Sequence, residues 1–147
     1  MGAISTRGPA CFALLNVRIT SRTYIKTLRT HLLPFLDDLP LAQVALTVFQ
    51  QDNAPPHRAH RTTAFLGDNG VPMTAWPPLS PDLNPIELVW AAMKQQVVRQ
   101  RPTTMANLRL AIRVCWMRIV TPQFCQKLYR RLQPKMNEIL SLKGARL

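Results

Sequence analysis

"QVALTVFQQD", residues 43 to 52, is the stretch that decides how the chain is to be read. It is a short apolar run of β-branched and aromatic residues ending in polar ones, the composition of a strand covered on both faces. If 43–52 is a strand, the helix-like stretches on either side of it make an α/β layer with a mixed sheet. Asp52 then stands at a strand's C-terminal end, where ligands and catalytic groups collect in open sheets.

Working outward from it, "GAIS", "TRG" and "PACFALL" read as strand, turn and second strand. The start "MGAIST" also matches the N-myristoylation pattern through Gly2 and Thr6, a short motif that arises often by chance. In "SRTYIKTLRTHLLPFL", Tyr24, Leu28 and Leu32 share one helical face, with Ser21 as N-cap and an end near Pro34. Downstream, "APPHRAHRTTAFLGDNG" has prolines at a helix start and a stop signal from Gly67 to Gly70. "VPMTAW" has room for only a brief strand before "PPLSPDLNP". A helix is expected from Pro85 to about Gln100, with Ile86, Val89 or Trp90, Met93 and Val97 as its apolar stripe. The remainder reads as helical: "TTMANLRLAIRVCWMRI" after Pro102, then Phe124, Leu128, Leu132 and Met136 at steps of four.

The 147 residues suffice for one compact core but not comfortably for two. The net charge is +12, and from Arg101 to Leu147 ten Lys or Arg face the single Glu138, so +9 lies in the last third. Such a block points to a polyanionic partner, nucleic acid first, although structural RNA and DNA would produce the same charge. No apolar run approaches the ~20 residues of a membrane-spanning helix, and no membrane partner is expected. Cys11, Cys115 and Cys125 are too few and too scattered for a disulfide framework or a zinc site, which fits a reducing compartment.

Among the seven acids, Glu87 and Asp52 stand out. With Asn84 as N-cap and Pro85 at N1, Glu87 falls at N3, where a carboxylate can close a capping box and favours the helix dipole by ~0.3–1 kcal/mol. Asp82 has a ready role as a turn residue, and Asp37 with Asp38 reads as a solvated connection. A carboxylate at a strand end and another on the first turn of a later helix could instead share a hard cation, since Mg²⁺ takes oxygen ligands. Such ions activate water and stabilise the leaving oxygen of a phosphodiester.

"FQQDNAPPHRAH" followed by "WPPLSPDLNPIELVWAAMKQQV" resembles the catalytic domain of mariner-like transposases, the DDE type, and their insertion-sequence relatives. "MGAISTRGPACFALL", "YIKTL" and "LLPFL" extend the resemblance over nearly the whole chain. It implies a ribonuclease-H-like mixed sheet flanked by helices, with residues 1–100 as part of the catalytic domain and 101–147 as its basic helical extension. The 34 residues between Asp52 and Glu87 match the family's interval between its second and third acids. By that resemblance Asp52 and Glu87 are catalytic, metal-binding acids for Mg²⁺ or Mn²⁺. His57, a helix-start or packing residue rather than a general base, and Trp90, a core residue, belong to the pattern without being ligands.

The family's first acid lies on a strand upstream of "GAIS", and nothing before Met1 supplies it. The expectation is therefore a truncated copy, a fragment or a misplaced start, binding metal weakly and cleaving little DNA alone. A complete form would cut transposon ends and join them to target DNA, in the nucleus if the source is eukaryotic, with a homodimer as one assembly left open. The competing reading is a non-catalytic DNA-binding or interaction protein derived from a transposase. Its phosphate contacts would be Arg58, Arg61, Lys94, Arg109, Arg113, Lys127, Arg130 and Arg131, each of which could equally belong to a solvated helix face.

Overall fold

The computed structural model describes residues 1–74 and 83–141, without the side chains of 135, 136 and 138–141. Its chain divides into two compact units, one formed by Met1 with Ala13–Ser80 and the other by Gly2–Phe12 with Pro81–Leu147.

In the first unit, α1 (Ser21–Thr27) continues through a π-helical turn, Leu28–Leu32, into α2 (Leu33–Asp37). The N-cap is Thr20 rather than the expected Ser21. Its hydroxyl accepts from the Thr23 amide while the Thr23 hydroxyl accepts from the Thr20 amide, a reciprocal pair in which Thr replaces the usual Glu or Gln. The helix also passes Pro34 instead of stopping there. A proline ring crowds the carbonyl four residues back, and the wide turn before it, in which the Leu33 amide bonds to the Leu28 carbonyl, provides the room.

The expected strand at 43–52 is not regular. Residues Leu41–Val44 form a short helix, α3, and the segment that follows makes one rung of parallel pairing, Phe49 with Met73. The Phe49 amide bonds to the Pro72 carbonyl at 2.7 Å and the Thr74 amide to the Phe49 carbonyl at 3.4 Å. A β-branched run becomes a strand only where a neighbouring backbone completes its ladder. Here Leu46 is 84% exposed and Val48 56%. Of "VPMTAW", Met73 supplies that rung, while residues 75 and 76 lie outside the described residues.

Two helices follow where one was expected: α4 (Pro55–Arg58) and α5 (His60–Asp68), separated by extended Ala59. Gly70, at φ 62°, closes α5 in the left-handed conformation that favours glycine. Tyr24, Leu28 and Leu32 present the predicted face, and they pack with Leu66 and Val71 into this unit's core.

In the second unit, β1 (Gly2–Ser5) and β2 (Gly8–Phe12) pair antiparallel, as the reading of "GAIS" and "PACF" requires. These are the regular strands among the described residues, which are mostly helical, and the larger mixed sheet that was expected does not form among them. Three helices accompany the hairpin: α6 (Pro85–Arg99), α7 (Met105–Ile119) and α8 (Pro122–Ser141). Val89, Met93, Cys115, Trp116, Val120, Cys125 and Leu128 form the core, with Ile86, Trp90, Val97 and Phe124 packed on it. The stripe predicted on α6 is thus the face it buries, and Leu128 and Leu132 of α8 are buried as their spacing implied. Met136 belongs to that stripe, but its side chain lies outside the described residues. Gly2 lies so close to two indoles that a Cβ there would meet Trp116 Cη2 at 2.7 Å and Trp90 Cη2 at 2.8 Å.

Candidate active site

Asp52 sits in the loop that leads into α4. Its Oδ1 accepts the Ala54 amide two residues on, at 3.0 Å, a side-chain turn that starts a helix whose first positions are Pro55 and Pro56. One turn into α4 the ring of His57 comes back to the same oxygen, with Nδ1 2.5 Å from Oδ1. The carboxylate is an acceptor, so Nδ1 carries the proton. The other face of the imidazole lies against Tyr24, ring centroids 4.1 Å apart. Tyr24 is buried, and its hydroxyl donates to Gln51 Oε1 at 2.7 Å. His57 therefore packs, as expected, and it is also the hydrogen-bond partner of Asp52, which the sequence reading did not include. The neighbouring Gln50 has a buried amide nitrogen with no partner among the described residues.

Glu87 occupies N3 of α6. The Asn84 side chain accepts the Ile86 amide at 3.3 Å and the Asn84 carbonyl accepts the Glu87 amide at 3.1 Å, so the predicted cap is formed. The reciprocal bond from Glu87 that would complete a capping box does not form among the described residues. Its carboxylate is exposed and makes no ion pair there. The first turn of α6 is thus closed without using the Glu87 oxygens.

Both acids fit a hard divalent cation by donor chemistry, since each presents carboxylate oxygen to solvent. At Asp52 one oxygen is occupied by two N–H donors and the other makes no hydrogen bond among the described residues. Among those residues no group of three or more His, Cys, Asp or Glu gathers as a metal-ligand set. Asp82 lies outside them, and Asp37 and Asp38 are exposed at the end of α2.

All eight basic candidates are exposed. Arg58 ends α4 and Arg61 lies in the first turn of α5. Lys94 is seven residues beyond Glu87 on α6, about two turns along the same face. Arg109 and Arg113 are one turn apart on α7, and Lys127, Arg130 and Arg131 cluster at three- and four-residue spacing on α8. Also on α8, burial pushes the Tyr129 phenol up to about 12, reinforced by Cys125, and its hydroxyl donates to the Ile4 carbonyl at 3.2 Å. Burial raises the Cys125 and Cys11 thiols in the same direction.

Comparison with known proteins identifies relatives. The family described as DDE superfamily endonuclease matches residues 1–109. The Tc3 transposase of Caenorhabditis elegans is 35% identical over 98 residues, covering 65% of this chain and 30% of that protein. The Tcb1 transposase of Caenorhabditis briggsae is 30% identical over 98 residues, covering 66% of this chain and 35% of its own. This chain therefore spans about a third of the length of these transposases. Its fold is that of the catalytic domain of the Mos1 mariner transposase, with a TM-score of 0.79 at 18% identity over 97% of this chain and 72% of the other. The same domain has been solved with raltegravir and Mg, and the Mos1 paired-end complex with Mn matches with a TM-score of 0.78 at 18% identity, over 96% of this chain and 42% of that one.

Proposed function

Because the chain belongs to the DDE superfamily of endonucleases and is a mariner-like transposase catalytic region, we propose that Asp52 and Glu87 are two of the metal-binding acids of a DNA strand-cleavage and strand-transfer site. The observation that carries this reading is the interval of 34 residues between the two acids, which runs within the family match. Support comes also from their environments: each carboxylate is exposed, Asp52 keeps one oxygen without a hydrogen bond among the described residues, and Asn84 caps α6 without using the Glu87 oxygens.

Bound divalent ions, Mg²⁺ or Mn²⁺ as in the solved relatives, would activate a water or 3′-hydroxyl and stabilise the leaving oxygen. The chain's own residues have simpler tasks. Asp52 and Glu87 supply oxygen ligands. The exposed Arg58, Arg61, Lys94, Arg109, Arg113, Lys127, Arg130 and Arg131 neutralise phosphates of transposon-end and target DNA, so affinity falls steeply with salt. In this reading the 147 residues contribute these two acids, and alone they bind DNA without cutting it appreciably. In a eukaryotic cell the protein acts in the nucleus, where its DNA is.

The test compares this chain with the same chain extended by any in-frame coding sequence upstream of Met1, on DNA carrying the element's ends. The extended protein nicks DNA with Mg²⁺ or Mn²⁺ and loses that activity in Asp52→Asn and Glu87→Gln. Nicking that survives both substitutions overturns the assignment. Metal-dependent nicking by the 147 residues alone, lost in Asp52→Ala, overturns the reading that they bind without cutting. Binding that does not respond to salt removes the role given to the basic residues.

A further inference from the structure

Asp52 is 57% exposed in its side chain, and a free aspartate there would populate several rotamers. Instead its Oδ1 is held from two sides, by the Ala54 amide and by His57 Nδ1. His57 is only 19% exposed and is itself fixed. Tyr24 backs the ring, the Tyr24 hydroxyl orients Gln51, and Gln51 Nε2 reaches the His57 carbonyl at 3.4 Å. The loop of contacts thus starts in α1, crosses Gln51, and returns through His57 to the acid.

We infer that His57 is a positioning residue for the Asp52 carboxylate. It saturates Oδ1 and sets the carboxylate's orientation, so that Oδ2 is the oxygen left for a divalent cation. Tyr24 and Gln51 hold His57 in turn. This inference rests on the reading of Asp52 as a metal ligand. It predicts that the imidazole acts through Nδ1 alone, and that any donor at that position will serve. Residues that orient a metal-binding carboxylate commonly change metal affinity by roughly 10–100-fold when removed.

Amide isosteres separate positioning from bulk. In His57→Asn the side-chain nitrogen falls where Nδ1 was, whereas in His57→Gln it falls where Nε2 was and the volume beside Tyr24 is better kept. Mn²⁺ binding to the full chain, followed by the loss of the free-ion electron paramagnetic resonance signal, is measured for both variants, for His57→Ala and for Asp52→Asn, with circular dichroism melts as the folding control. The expected result is affinity about tenfold or more weaker in His57→Gln and His57→Ala, restored to within about threefold in His57→Asn, and lost in Asp52→Asn. If Asp52→Asn loses binding while His57→Gln keeps it, the positioning role is wrong and the metal assignment stands. If His57→Asn and His57→Gln are equally weakened, the Nδ1 mechanism is wrong. If Asp52→Asn binds Mn²⁺ like the parent chain, the metal assignment fails and the positioning role fails with it. His57→Gln is the decisive variant should His57→Ala not fold.

Discussion

Thr62 links the fold of the first unit to the turn that carries His57, and its removal has a calculable effect. Thr62 is fully buried, and its hydroxyl donates to the Pro56 carbonyl at 2.7 Å, one residue before His57. Thr62→Val keeps the shape, deletes the donor and leaves that carbonyl without it. An unsatisfied buried polar group costs about 1–3 kcal/mol, so a loss of about 2 kcal/mol is expected. Thr62→Ser keeps the donor and deletes one methyl, worth about 0.8 kcal/mol of burial and slightly more with the small void it leaves. The two substitutions therefore rank oppositely under the two explanations: hydrogen bonding makes Val the worse, and packing alone makes Ser the worse. For a chain of this size, thermal melting followed by circular dichroism should fall by about 4–8 °C for Val and about 2–4 °C for Ser. A Val variant that melts as high as the Ser variant, or higher, refutes the view that the Pro56 carbonyl depends on Thr62.

Three further outcomes follow from the second unit and its helix ends. Gly2→Ala should lower stability by about 1–3 kcal/mol in a urea titration, because the new methyl lies within 2.8 Å of two indole rings that are themselves packed; unchanged stability would mean the indoles have room to shift. Arg101 ends α6 at φ 46°, where glycine carries no steric penalty, so Arg101→Gly should raise the melting temperature by the equivalent of about 0.5–1 kcal/mol. The Tyr129 phenol has its folded value raised from 10 to about 12, so its contribution is complete below pH 10, falls as the unfolded chain ionises first, and is gone above about pH 12. That limb, on the order of 2 kcal/mol after allowance for partial exposure, should disappear from the stability–pH curve in Tyr129→Phe, along with one late-titrating phenol in the ultraviolet spectrum.

Helix signals proved the most legible part of the sequence. Asn84, Pro85 and Glu87 announce the start of α6, and the spacing of Ile86, Val89, Met93 and Val97 announces the face it buries, because both are local properties of a single element. The hairpin was legible for the same reason. Residues 43–52 were not, since β-propensity records fitness for a pleated surface, and among the described residues only Phe49 finds a rung. Pro34 misled because a proline's effect depends on whether the preceding turn can widen. At the candidate site, spacing and charge single out the two acids and the basic residues, whose roles are the proposal made above. The tie of His57 to Asp52 was not predicted, although an acid and a histidine five residues apart across an Ala-Pro-Pro turn are spaced for it. The support from Tyr24 comes from 33 residues away and depends on tertiary structure that no local pattern reports.

The most direct measurement of the central claim replaces Mg²⁺ by Fe²⁺ and lets ascorbate and peroxide generate hydroxyl radicals at the bound ion, with the cut sites in the polypeptide mapped by mass spectrometry. The assignment predicts breaks beside Asp52 and beside Glu87, both suppressed by excess Mg²⁺ and absent in Asp52→Asn. Breaks confined to other positions, or cuts at these two that excess Mg²⁺ leaves unchanged, would contradict it.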